Sequence, residues 1–65
     1  MSEFVIQAAD QTGYYTGYTM YGPVFTTSVK EAAKFDLEEK AKNVISGDER
    51  LRGAHVLNFT VMERK

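Results

Sequence analysis

Length, composition and charge exclude several classes of protein. The chain has 65 residues, no cysteine and one histidine, so we expect a single domain, residues 1–65, without disulfides or a His/Cys metal site. Eight basic and nine acidic side chains give a net charge of −1, which argues against a strongly basic nucleic-acid binder and against an acidic DNA mimic.

Targeting signals are not recognised in the sequence. The start, MSEFVIQAAD, lacks a basic segment followed by an apolar run. No stretch approaches the roughly 20 apolar residues of a membrane span. We therefore expect a soluble, cytoplasmic protein with no membrane partner.

The N-terminal segment has the pattern of a strand. Residues 3–9 alternate apolar and polar side chains with a period of two, which places Phe4 and Ile6 on the buried face. Residues 10–13 (DQTG) contain the Asp and Gly of a hairpin loop.

A second strand, antiparallel to the first, is predicted over residues 14–18. Gly17 within it indicates a bulge or a close backbone approach. A loop is predicted over 19–23, and the β-branched and aromatic residues 24–26 favour a third, very short strand.

The helical region begins with a capping signal. Ser28 and Glu31 have the S-x-x-E spacing in which the two side chains satisfy backbone N–H groups at a helix start. A short first helix is therefore predicted over 29–35.

The same spacing recurs at Asp36 and Glu39, which predicts a second helix from Leu37. One continuous helix is the alternative. Gly47 follows as a residue that tolerates positive φ, so the helix is expected to end near Ser46. The second helix has an apolar stripe, formed by Leu37, Ala41, Val44 and Ile45. Two i,i+4 pairs with the acid first support its polar side, namely Asp36–Lys40 and Glu38–Lys42.

The C-terminal part closes the domain. Residues 48–53 are charged and bounded by glycine, which predicts an exposed connection. Residues 54–62 alternate as the longest strand, central or beside the first, and 63–65 form a polar tail expected to fray. The fold class is thus α+β: a small antiparallel sheet of three to four strands with one or two helices on one face, in the order β-β-(β)-α-α-β. Predicted core residues are Phe4, Ile6, Val29, Ala32, Ala33, Phe35, Leu37, Ala41, Val44, Ile45, Leu57, Phe59 and Val61.

Nearly the whole chain resembles a loose group of small phage and prophage proteins that combine a β-hairpin, helices rich in alanine and acidic residues, and a closing strand. The residues that carry the resemblance are Tyr15, Thr16, Phe25, Thr26, Ala33, Phe35, Glu38, Glu39 and Ala41. Some phage proteins of this size inhibit host enzymes or bacterial immunity, anti-CRISPR proteins among them. The resemblance implies that context and supplies no active site.

No catalytic or cofactor signature is present, so we predict a protein that is not an enzyme and has no catalytic, cofactor-binding or metal-ligating residues. His55 is the only histidine, and it is predicted to be a strand residue at the margin of the sheet. The carboxylates Asp36, Glu38 and Glu39 are explained by the dipole of a helix start. The glycines have neither dinucleotide nor P-loop spacing.

Aromatic side chains cluster in the predicted hairpin, and they are the candidate partner-binding residues: Tyr14, Tyr15, Tyr18, Met20 and Tyr21. A period of two places Tyr14 and Tyr18 on one face and Tyr15 on the other, so not all of them can be buried. Tyrosine and methionine are enriched at protein interfaces, but tyrosines are also ordinary packing residues of half-exposed sheets. Both interpretations remain open.

The preferred hypothesis is a protein-binding module, of phage or prophage type, that docks on an unidentified host protein and can inhibit it. The alternative is single-stranded nucleic-acid binding, with bases stacked on Tyr14, Tyr15 or Tyr18. Acidic residues interspersed with the cations argue against it. A monomer or a homodimer is compatible with the sequence.

Overall fold

The computed structural model describes residues 2–63 of the chain; residues 64 and 65 of the predicted polar tail lie outside the described residues. The strands are β1 (Phe4–Gln7), β2 (Tyr14–Thr19), β3 (Gly22–Thr26) and β4 (His55–Asn58), and the α-helices are α1 (Glu38–Ser46) and α2 (Phe59–Glu63). Two 3₁₀ turns, the first at Val29–Glu31 and the second at Glu49–Leu51, complete the elements. The four strands form one antiparallel sheet in the order β3-β2-β1-β4. The predicted α+β class is confirmed.

The inner strand β1 is covered on both faces. Val5 and Ile6 are both 0% exposed, and neighbouring strand residues point to opposite faces. Ile6 packs in one cluster with Tyr15, Ala41 and Leu51. Val5 packs in the other with Ala32 and Phe59. Helix α1 therefore lies on one face, and the first 3₁₀ turn and α2 contribute to the cover of the other.

The segment after β3 does not form the predicted helix over 29–35. Only Val29–Glu31 forms a 3₁₀ turn, and Ser28 makes no side-chain capping bond. The next residues are extended: the Ala33 N–H donates to the Tyr15 carbonyl (2.9 Å), and Phe35 exchanges two backbone hydrogen bonds with Phe4 (2.8 Å each). Sheet-type bonding to β1 and β2 replaces the helix because it satisfies edge groups that these strands leave unpaired.

The second helix is close to its prediction. A break before it is confirmed, and α1 ends at Ser46 as expected. Leu37 is the N-cap with an extended backbone and is exposed, which corrects its assignment to the core. Gly47 is the C-cap in a right-handed conformation and does not use positive φ. Both predicted ion pairs are present, Asp36–Lys40 at 2.9 Å and Glu38–Lys42 at 3.6 Å.

The last predicted strand is shorter than expected, with four residues instead of nine. β4 pairs with β1 from His55 to Asn58, at an edge of the sheet, and the chain then turns into α2. Phe59 is buried as predicted, whereas Val61 is exposed. The connection before β4 is not fully exposed either, because Leu51 of the second 3₁₀ turn is buried in the main cluster.

Candidate protein-interaction surface

The hairpin of β2 and β3 turns tightly at Met20 and Tyr21. Thr19 pairs with Gly22 across the turn. The Thr19 hydroxyl donates to the Gly22 carbonyl (3.2 Å) and accepts from the Tyr21 N–H (3.1 Å). Gly22 has a φ of 113°, a conformation that favours glycine. The predicted five-residue loop over 19–23 is thus a two-residue turn between longer strands.

Arg50 braces this turn from the second 3₁₀ turn. Its Nη1 donates to the Tyr21 carbonyl at 3.4 Å, a weak hydrogen bond, and its guanidinium lies against Gly22 where a side chain would otherwise stand. The hairpin tip is therefore held to the body of the domain, so that binding a partner would cost less conformational entropy.

A bulge in β2 determines which way Tyr18 points. The register shifts between Tyr15 and Gly17, and the hydroxyl of the intervening Thr16 donates to the Val24 carbonyl (3.1 Å). One extra residue moves Tyr18 to the face of Tyr15, because side chains alternate along a strand. The prediction that Tyr14 and Tyr18 share a face is therefore wrong, while the bulge expected at Gly17 is confirmed.

On that face the Tyr18 hydroxyl lies close to the Asp48 carboxylate. Contact with the Asp48 carboxylate raises the pKa of Tyr18 above its ordinary value of 10.0. The pKa of Asp48 is lowered from 3.8, first by the Arg50 N–H, which donates to its Oδ1 at 2.9 Å, and then by Tyr18. The Oδ2 atom of Asp48 is buried and has no hydrogen-bond partner among the described residues.

Beyond this brace the tip carries large apolar side chains into solvent. Met20 and Tyr21 are 88% and 87% exposed, and Tyr18 is 58% exposed. Val24 and Phe25 of β3 are also exposed. We call these residues the hairpin-tip surface: Tyr18, Met20, Tyr21, Val24 and Phe25. Its members occupy both faces of the hairpin, since Phe25 lies opposite Tyr15 and Val24 opposite Gly17.

Two of the predicted partner-binding residues pack against the core, Tyr15 as a buried residue and Tyr14 as a partly buried one. Tyr15 is 8% exposed and packs its ring edge-on against Phe25, with centroids 6.4 Å apart. Tyr14 packs against the cluster around Val5. For these two tyrosines the packing interpretation holds. Val24 and Phe25 were not among the predicted partner-binding residues, although Phe25 belongs to the same aromatic-rich segment of the sequence.

Other polar side chains of the described residues lie away from the hairpin tip or are engaged with the backbone. His55 is exposed on β4. Lys34 donates to the carbonyls of Lys30 and Ala32, and its ammonium lies 4.6 Å from the centre of the Phe59 ring. Within the described part of the chain, no group of three or more His, Cys, Asp or Glu could hold a metal ion.

The fold and site thus define a small α+β domain with an apolar hairpin tip. No family model, curated protein or solved structure matches the chain. Among residues 2–63, no helix has the length and apolar character needed to cross a membrane.

Proposed function

We propose that this chain is a non-enzymatic protein-binding module that contacts its partner through the hairpin-tip surface. The observation that carries the proposal is the exposure of Met20 and Tyr21, at 88% and 87%, at the end of a hairpin that is internally braced. An aromatic side chain offers about 150–250 Å² of contact area. Such side chains, held rigidly, are typical energetic centres of interfaces.

The size of the tip sets the form of the complex. A standard interface buries about 800 Å² on each partner, so the hairpin-tip surface would be its apolar centre. Polar residues beside the tip, Arg50 and Thr16 among them, would lie at the rim. A partner with an apolar cleft fits this shape best, because the tip is apolar on both faces.

The resemblance to small phage and prophage proteins makes a bacterial host protein the proposed partner, with inhibition of that protein as the consequence. Nucleic acid is disfavoured, since Tyr14 and Tyr15 are packed and Lys34 is engaged with backbone carbonyls. Of the three tyrosines considered for base stacking, only Tyr18 is more than half exposed, whereas single-strand binding stacks successive bases on several aromatic side chains.

The test is capture from a bacterial lysate, with and without nuclease treatment and at physiological and at high salt, with two matched variants. The double substitution Met20→Ser and Tyr21→Ser removes apolar contact at the tip. The double substitution Leu37→Ser and Val61→Ser removes exposed apolar side chains elsewhere. We expect the captured protein to bind the tip variant at least about 100-fold more weakly, because two central interface residues are lost. The control variant should bind like the wild type.

Equal binding by the tip variant and the wild type would contradict the proposal, as would equal losses in both variants. Capture that disappears with nuclease or at high salt would point to nucleic acid. Inhibition is tested by titrating the captured partner's activity with the wild type and the tip variant; activity unchanged by saturating wild-type protein would exclude it.

A further inference from the structure

The two edges of the sheet differ in how well they are protected. The β3 edge contains Pro23, which has no N–H, and Gly22 in an unusual conformation. The β4 edge, His55–Asn58, contains neither proline, glycine nor lysine. Strands without such residues at an edge are open to pairing with another strand. The β4 edge is therefore more open than the β3 edge to pairing with another strand.

The backbone groups that β4 presents can be assigned from the neighbouring bonds. Phe4 bonds to Phe35 on the β2 side of β1, so Val5 and Gln7 face β4, because backbone groups alternate along a strand. Their partners are Leu57 and His55. It follows that Ala54, Val56 and Asn58 direct their backbone groups outward.

Two of these outward groups are already used. The Ala54 N–H donates to the Leu51 carbonyl (2.9 Å). The Asn58 carbonyl precedes Phe59, the first residue of α2, and so accepts the first hydrogen bond of that helix. Four groups remain for pairing: the Ala54 carbonyl, the N–H and carbonyl of Val56, and the Asn58 N–H.

These four groups are self-complementary. In an antiparallel pair of two β4 strands centred on Val56, the two Val56 residues exchange both hydrogen bonds, and each Asn58 N–H meets the Ala54 carbonyl of the other copy. No free group is left over and no used group is needed. We propose that two copies of this chain associate through β4 in this register and form one continuous sheet.

The surroundings of the edge fit a second copy. A groove of about 580 Å³ runs beside it, and its lining includes Ile45, Ala54 and Val56 together with Glu38 and Lys42 of α1. A two-fold axis through Val56 sets the two α1 helices antiparallel. Because both side chains line the groove and the helices are antiparallel, we expect Glu38 of one copy to face Lys42 of the other, with complementary charges.

The register is tested by single-cysteine variants, since the chain has no cysteine of its own. Val56→Cys places two sulfurs across the axis, with Cα atoms about 5.5 Å apart, within disulfide range. His55→Cys is the control: its copies would be diagonal neighbours at about 7–8 Å, too far apart to bridge, although His55 is the more exposed side chain. We expect covalent dimers of Val56→Cys to form at least about tenfold faster than those of His55→Cys. Equal rates, or faster bridging of His55→Cys, would overturn the register.

Association itself is tested with Lys42→Glu and Glu38→Lys, both at exposed positions. Each variant opposes like charges across the axis, and we expect each to self-associate about tenfold more weakly than the wild type in sedimentation equilibrium. Mixed together, the two variants should form heterodimers that restore wild-type association. A wild-type chain that sediments as a 7.3 kDa species at every concentration would overturn the proposal. So would a dimer that Met20→Ser and Tyr21→Ser abolish, because that dimer would use the hairpin tip.

Discussion

Leu51 indicates how much one side chain contributes to a domain of this size. It is 1% exposed and belongs to the cluster around Ile6. Leu51→Ala should lower the free energy of unfolding by about 2–4 kcal/mol, because it removes buried methyl groups and leaves a cavity. Leu37→Ala, at a position 54% exposed, should change it by less than about 0.5 kcal/mol. Urea denaturation followed by circular dichroism measures both.

A domain this small has a total stability of only about 3–5 kcal/mol, so Leu51→Ala could be unfolded without denaturant. Leu51→Met nearly conserves volume and should cost less than about 1.5 kcal/mol, which keeps the comparison measurable. Equal losses for the substitutions at Leu51 and Leu37 would contradict the assigned core. The sequence did not predict this contrast, because Leu51 stands among charged residues while Leu37 falls on the apolar stripe of the predicted second helix.

At the scale of the element, alanine substitutions at two glycines of the hairpin are expected to have opposite effects on stability. Gly22 has a φ of 113°, so Gly22→Ala should destabilise by about 1–3 kcal/mol through backbone strain. A Cβ at Gly17 would meet no atom within 4 Å and needs no positive φ. Gly17→Ala should therefore stabilise by about 0.4–1 kcal/mol, because it restricts the unfolded chain. The measurement is the difference between the urea denaturation midpoints of the two variants. A lower midpoint for Gly17→Ala than for Gly22→Ala would contradict the expected order of stability.

The elements that the sequence predicts well are those whose signal is local. The ion pairs follow from spacing along one helix, the first strand follows from alternation, and the second strand follows from the hairpin loop that precedes it. The predicted helix over 29–35 fails because its backbone pairs with distant residues: β1 and β2 share the single register pair Gln7↔Tyr14, and Phe35 bonds to Phe4 where they separate. The capping signal at Ser28 is local in sequence, so it contains no information about pairing with distant residues.

The sequence predicts an aromatic cluster in the hairpin, but it does not predict which of the side chains are exposed. The five predicted residues all lie in or at the end of the first strand of the hairpin. Which of them reach solvent depends on one extra residue, Thr16, since the bulge turns Tyr18 to the face of Tyr15. Alternation with a period of two does not place this bulge, although Gly17 indicates that one is present.

At the scale of the whole molecule, the two proposed surfaces lie at opposite sides of the sheet. The strand order β3-β2-β1-β4 places the hairpin of β2 and β3 at one side of the sheet and the β4 edge at the other, with β1 between them. A dimer through β4 would leave both tips free and point them away from each other. Such a dimer would bind a partner with two copies of the target site more tightly than a monomer does, through effective concentration alone.

The whole molecule also has a predicted range of pH over which its charged groups support the fold. Three aspartates have a pKa lowered from 3.8: Asp10 by the Thr12 hydroxyl, Asp36 by Lys40 and Asp48 by the Arg50 N–H. A lowered pKa stabilises the fold above pH 3.8, and this contribution is lost as the pH falls through the folded-state pKa values. The raised pKa of Tyr18 acts in the opposite sense, stabilising below pH 10.0 and losing its effect above.

These groups therefore predict a plateau of stability between about pH 4 and pH 10 with a decline on each side. The measurement is the urea midpoint across this range for the wild type, for Tyr18→Phe and for the triple variant Asp10→Asn, Asp36→Asn, Asp48→Asn. The triple variant should be less stable than the wild type on the plateau, and the two should converge in acid, because a protonated aspartate resembles asparagine. Tyr18→Phe should abolish the part of the alkaline decline that Tyr18 causes. A gap between wild type and triple variant that persists undiminished in acid would mean that the aspartates do not act through their charge.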